Sequence, residues 1–351
     1  MIPSTPNFIK KSRYQKMISD TITQCLICER RCKISLDHYG YCQTRVNQYG
    51  DIYTLVYGCI PALSYNPIEK KPFYHFYPGT LAITIGTYGC NFDCCWCQNN
   101  HISHPSHPIL EKITQEKRFL PPERVVELAL LNDCKGTSIS FNEPTLLFEY
   151  SLDVFRLARK EGLYNTYVSN GYMTEEVLKE LVKYGLNAIN IDIKADAEIV
   201  KKYCGADDEL VWRNAILAKE LGIHVEITTL LIESLNSEKD IIHQISKRIY
   251  DDLGELTPFH ITRFFPLYKS KEYGFIRPTP IELLKNAFEI AKHNGLKYIY
   301  LGNVSTSTYN HTVCPNCFKI VIKRVPLGIE EHGLDLEGKC KECGFEICKM
   351  S

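Results

Sequence analysis

A chain of 351 residues that is 44% hydrophobic and 23% charged carries enough apolar side chain for a sizeable core and too little charge for a long disordered tract. Its 41 basic and 41 acidic residues cancel, so no global field draws it to polyanions, and nucleic acid is unsupported as a partner. No apolar run approaches the roughly 20 residues of a membrane span, and Met1-Ile-Pro-Ser-Thr-Pro lacks a secretory core, so a cytoplasmic location is expected, with the 16 cysteines reduced or metal-bound. Cys25, Cys28, Cys32 and Cys42 come first, in a C-x2-C-x3-C-x9-C pattern that suits zinc or an iron–sulfur cluster; the surplus of basic residues around them offsets such a site. Next, Glu69, Lys70, Lys71 and His75 precede the first strand, as either a polar rim over the mouth of the fold or a charged bridge between modules.

Strands are expected at 81–87, 137–141, 164–168, 188–193, 224–231, 259–265 and 298–301, each short and rich in β-branched or aromatic residues. Helices are expected between them at 122–132, 146–161, 175–184, 209–221, 237–253 and 280–294. Five end just before Gly162, Gly185, Gly222, Gly254 and Gly295, the residue type that closes helices in the left-handed conformation, and Thr174 is placed to cap the third. This alternation predicts an α/β fold with a parallel sheet, in which ligands gather at the carboxyl ends of the strands.

The cysteine loop follows the first of those strands. Cys90, Cys94 and Cys97 form a C-x3-C-x2-C triplet with Trp96 before the last. Three thiolates hold three irons of a [4Fe-4S] cluster and leave the fourth open to another ligand, whereas clusters that only carry electrons have all irons capped by protein. A zinc knuckle would pair C-x2-C with a distant second pair, which this triplet lacks. Cys95 does not fit the x3/x2 spacing and is expected in the core, with Cys59, Cys134, Cys204 and Cys348.

Near the C-terminus, Cys314-Pro-Asn-Cys317 and Cys340-Lys-Glu-Cys343 have zinc-ribbon spacing around the β-rich Lys319-Ile-Val-Ile-Lys323. Charges of both signs balance there, which favours a closing or docking module over a phosphate-tracking surface. The expected organisation is a cysteine-rich module and linker at 1–79, a barrel domain at 80–304 and a ribbon-like domain at 305–351.

The triplet with its aromatic neighbour resembles the signature of the radical S-adenosylmethionine (SAM) superfamily. Tyr65 to Gly79, Gly-Cys-Asn-Phe at 89–92, Cys-Gln-Asn at 97–99, Gly-Asn-Val at 302–304 and the N-terminal cysteines together resemble the radical SAM enzyme of the AmmeMemoRadiSam system, related to pyruvate formate-lyase activating enzymes. Asn66 and Glu29 depart from its usual aspartate and proline. The resemblance implies a partial (β/α)6-type radical SAM barrel and a [4Fe-4S] cluster that, reduced by a ferredoxin or flavodoxin, cleaves SAM to a 5'-deoxyadenosyl radical.

By the same resemblance Glu143, in Ser140-Phe-Asn142-Glu143-Pro, receives the methionine amino group of SAM, Ser169 and Asn170 contact its ribose and carboxylate, and Asp192 and Lys194 form the Asp-x-Lys pair that helps bind it. Asn142 and Trp96 belong to the same motifs, and His260 and Arg263 offer a further polar pair on the sixth strand. A partner protein is one implied substrate; a small molecule or RNA is the alternative, and a zinc-binding scaffold without catalysis a third.

Overall fold

The N-terminal residues, where the sequence displays only a cysteine motif, fold into short antiparallel strands. They are β1 (Lys10–Lys11), β2 (Gln15–Ser19), β3 (Ile22–Cys25), β4 (Lys33–Ser35), β5 (Arg45–Gln48) and β6 (Asp51–Thr54), arranged β1-β6-β5 and β2-β3-β4. The computed structural model describes residues 8–105, 108, 111–113, 119–305, 308–326 and 328–350. They divide into two bodies, one of residues up to Tyr65 with Ala82–Asn187 and Cys204–Ala206, the other of Asn66–Leu81, Ala188–Tyr203 and the remainder from Asp207. Among the described residues no helix is long and apolar enough to cross a membrane.

In the first body the chain continues through β7 (Ala62–Pro67), which ends in the second body, then β8 (Leu81–Gly86), α1 (Asn100–Ser103), α2 (Pro122–Leu131), β9 (Gly136–Ile139), α3 (Phe148–Lys160), β10 (Tyr164–Ser169) and α4 (Glu175–Tyr184). Strands β8, β9 and β10 pair in parallel, in register Ala82 to Gly136 and Gly136 to Tyr164. Parallel strands are buried on both faces, and polar residues within them must find partners there. Thr137 Oγ1 accordingly donates to Asn165 Oδ1 (2.7 Å), and Asn165 Nδ2 to the Gly185 carbonyl (3.0 Å).

Helix α4 buries Val177, Leu178 and Leu181 on one stripe and turns its charged residues outward. Each such aliphatic side chain contributes about 1.5–3 kcal/mol. Gly185 closes it at φ 116°, a conformation that costs an L-residue strain. The capping expectation fails in detail. Thr174 holds the N-cap backbone conformation, but its hydroxyl donates to the Leu26 carbonyl (2.9 Å), so a tertiary acceptor replaces the helix's own N–H.

In the second body β11 (Ala188–Asp192), β12 (His224–Leu231), β13 (Phe259–Arg263) and β14 (Ile299–Gly302) form a parallel ladder. The helices are α5 (Ala197–Cys204), whose last residue belongs to the first body, α6 (Asp208–Glu220), α7 (Lys239–Arg248) and α8 (Ile281–His293). Helix α5 is too short to announce itself by periodicity. The helix expected to run through 253 changes to a π-turn at Ile249–Leu253. Strands β15 (Thr312–Val313), β16 (Ile320–Val325) and β17 (Gly328–His332) make the C-terminal antiparallel sheet, around Val321, Ile322, Leu334 and Ile347.

Candidate functional site

The cysteine loop leaves the carboxyl end of β8, where two backbones come together. A Cβ on Gly86 would stand 2.7 Å from the Ser140 carbonyl, so only glycine fits, and Phe141 opposite is held at φ 73°. The strained Phe141 aims the next two side chains at the loop. Asn142 Nδ2 donates to the Gly89 carbonyl (2.7 Å) while its Oδ1 accepts from the Thr87 N–H (3.0 Å), clamping the turn into Cys90.

Glu143 is buried among donors. Its Oε1 accepts from Thr145 N (3.1 Å), Thr145 Oγ1 (2.5 Å) and Ser169 Oγ (2.8 Å), and its Oε2 from Asn170 N (2.9 Å). Burial outweighs these donors and raises its pKa above the usual carboxylate range. A buried carboxylate held by hydroxyl and amide dipoles is suited to receive a cation. Ser169 in turn accepts from Gly171 N (2.9 Å), and Asn170 Nδ2 donates to Asn91 Oδ1 (2.7 Å) in the cysteine loop itself.

Cys94 is buried, and Cys90 and Cys97 are partly exposed. Phe92 N–H donates to Cys90 Sγ (3.4 Å), and burial together with the nearby Glu143 carboxylate pushes the Cys90 thiol well up. Trp96 and Cys95 are buried beneath the loop, as expected of Cys95. The structure links Asn142, Glu143, Ser169 and Asn170 by hydrogen bonds to one another or to the loop that carries Cys90, Cys94 and Cys97. It adds one residue that no motif singles out: Cys204 Sγ lies 3.4 Å from Cys94 Sγ. Separated by 110 positions and lacking any motif, Cys204 reads in sequence as an ordinary core thiol.

The donor set fits a [4Fe-4S] cluster with one open iron: three thiols on one short loop, a backbone N–H already directed at one sulfur, and a neighbouring buried carboxylate.

In the second body Asp192 Oδ2 and Lys194 Nζ pair at 2.8 Å at the end of β11, both partly exposed. His260 pairs with a buried carboxylate. Its Nε2 lies 2.6 Å from Glu226 Oε2, while Glu226 Oε1 is met by His224 Nε2 (2.9 Å) and by the His75 N–H (2.8 Å). Burial alone would raise Glu226, but the two histidines win and hold it well below the usual range. Arg263 donates through Nε to the Thr279 carbonyl (2.8 Å).

The segment expected as a rim or a bridge is no exposed rim. Glu69, Lys71 and His75 are buried, and His75 Nδ1 donates to the Ile347 carbonyl (2.7 Å), tying the segment to the C-terminal sheet. With Nδ1 carrying the proton, neutral His75 accepts at Nε2 from Tyr300 (2.6 Å), and burial lowers its pKa to about 3.

The C-terminal cysteines converge as their spacing predicts. The sulfurs of Cys314, Cys317, Cys340 and Cys343 all lie within 4.8 Å of one another, a set able to hold a metal ion. The Asn316 side chain and the Phe345 N–H pull the Cys343 thiol down to about 6, favouring the thiolate that a metal needs.

Comparison with known proteins places the chain in a family. The Radical SAM superfamily model matches residues 84–245, from β8 through α7. The chain is 39% identical over 341 residues to the Methanocaldococcus jannaschii protein MJ0808, covering 97% of this chain and 99% of that one. It is 30% identical over 234 residues to MJ1632 of the same organism, named as a glycyl-radical enzyme activating enzyme, covering 64% of this chain and 80% of that protein. A radical SAM methyltransferase from Sphaerobacter thermophilus shares the fold at TM-score 0.50 and 12% identity, over 84% of this chain and 76% of that one. The chain belongs to the radical SAM superfamily and is homologous to glycyl-radical activating enzymes.

Proposed function

We propose that this protein cleaves SAM reductively at a cluster held by Cys90, Cys94 and Cys97 and uses the resulting radical on a partner protein. The observation that carries the reading is Glu143, a buried, cation-seeking carboxylate braced against the cysteine loop through Asn170 and Asn91. When bound, a [4Fe-4S] cluster supplies the electron that breaks the carbon–sulfur bond of SAM, at a potential near that of plant-type ferredoxins, about −400 mV or below. A ferredoxin or flavodoxin is the donor suited to that range.

The residues of the chain do the binding and aiming. Glu143 accepts the methionine ammonium in a charge-assisted hydrogen bond, and the four donors around it fix the direction of its free lone pairs. Ser169 and Asn170 orient Glu143 and offer polar groups to the ribose and carboxylate. Asn142 holds the loop in register, and Trp96 shields it from water. Zinc at Cys314, Cys317, Cys340 and Cys343 stabilises the C-terminal sheet. The name of MJ1632 favours a protein substrate.

The test is reductant-dependent formation of 5'-deoxyadenosine from SAM under anaerobic conditions. Cys94→Ala is expected to lower it by roughly a thousandfold or more, about 4 kcal/mol of barrier. Normal turnover by that variant would overturn the reading.

A further inference from the structure

We propose that Cys25, Cys28, Cys32 and Cys42 hold a second [4Fe-4S] cluster, distinct from that of the triplet. The four thiols line one pocket with Ile27, Ile34, Arg45 and Asn91, and Cys25, Cys28 and Cys42 are each no more than 9% exposed. Burial pushes the thiols of Cys25, Cys28 and Cys32 up, and backbone N–H groups pull the other way. Ile27 N–H donates to Cys25 sulfur and Arg30 N–H to Cys28 sulfur, each from two residues on; Tyr41 N–H donates to Cys32, and the Thr44 hydroxyl lies 3.2 Å from Cys42 Sγ.

The same two-residue N–H to sulfur bond occurs at Cys90 from Phe92, at Cys317 from Lys319 and at Cys343 from Phe345. The buried Cys348, outside the clustered sets, differs: it gives its proton to the Tyr74 carbonyl instead. An N–H aimed at sulfur matches a metal-bound thiolate, which has lone pairs and no proton.

A second observation points to an occupant. Arg45 is 1% exposed and its terminal nitrogens grip Glu149 at 2.9 and 2.7 Å, yet among the described residues its Nε has no hydrogen-bond partner. A buried N–H left over beside four thiols needs an acceptor, and a cluster sulfide or thiolate supplies one.

Spacing decides the number of metals. Four sulfurs around a single zinc, at about 2.3 Å each, stand about 3.8 Å apart. The C-terminal quartet is drawn together on that scale, within 4.8 Å, whereas among the described residues neither the N-terminal quartet nor the triplet forms such a group. In a cubane each cysteine binds a different iron, so its ligands sit farther apart. Among the described residues the N-terminal quartet lacks the single-ion spacing and has one thiol more than the triplet, so a cubane there would have all four irons capped and none left for substrate.

The experiment uses the full chain with Cys90→Ala, Cys94→Ala and Cys97→Ala together, reconstituted anaerobically with ferrous iron and sulfide and assayed for iron, sulfide, zinc and Mössbauer spectrum. About four irons and four sulfides per chain should remain, and adding Cys28→Ser and Cys32→Ser should remove them. Zinc retained at the C-terminal quartet reports that these variants are folded. In the unaltered chain, reconstitution with iron and sulfide should protect Cys32 from alkylation. A triplet variant without iron and sulfide, or with a second zinc per chain, would overturn the proposal. The triplet is tested by the reciprocal variant, Cys28→Ser with Cys32→Ser, so failure of one cluster is distinguishable from failure of the other.

Discussion

Glu143, after β9, and Glu226, in β12, are both buried glutamates, one in each body, and their environments push them in opposite directions. Glu143 is surrounded by hydroxyl and amide donors, and desolvation prevails, leaving the carboxylate short of positive charge. Glu226 faces His224 and His260, and its charge is already answered. Burial alone therefore does not distinguish a binding group from a structural one. The partner does: dipoles leave the site open to a cationic ligand, whereas imidazoles close it.

Glu226→Ala should break this contrast with the largest effect. It strands His260 and the backbone N–H groups of Tyr74 and His75, and a loss of about 3–5 kcal/mol in denaturant unfolding is expected. Arg45→Met, which leaves Glu149 charged and buried in the first body, should cost about 3 kcal/mol or somewhat more by the same measurement. Glu143→Gln should leave stability nearly unchanged and raise the KM for SAM by about 10- to 100-fold, equivalent to about 1.4–2.8 kcal/mol. A stability loss with unaltered KM would reverse the assignment of the two glutamates.

The smallest effect per step is pH. His75 is neutral down to about 3 in the folded state, against 6.5 unfolded, so the unfolded chain binds the extra proton and stability falls by up to about 1.4 kcal/mol per pH unit as pH drops below 6.5. Glu226, whose folded pKa is depressed, adds stability above its unfolded value of 4.5 that is lost as pH falls further. Glu143 has the opposite sign, since its raised pKa favours the folded state at low pH and weakens that preference as pH rises through it. Acid unfolding followed by the Trp212 environment in the second body should thus begin below about 6.5, and His75→Gln should flatten its onset.

Much of the site was legible because its parts are local. The x3/x2 cysteine spacing, the strand–helix alternation and the glycines that end helices all lie within a few residues, and β12 and α4 run where their residues predict. Helix α5 was illegible for want of length, and the N-terminal strands because runs of two to five residues carry no periodicity. Thr174 shows how a correct position can hide a wrong partner, since its hydroxyl found an acceptor 148 residues away.

Sequence by itself determined the α/β class, the cysteine triplet and the C-terminal metal-ligand set, because each depends on short-range spacing that the backbone converts directly into geometry. Only the tertiary structure decided which polar residues share a site. It set Cys204 against Cys94, joined Asn170 to Asn91 and gave His260 to Glu226. Those choices depend on which strands and loops meet and on which buried groups must satisfy each other once water is gone, and neither condition is written in any short stretch of the chain.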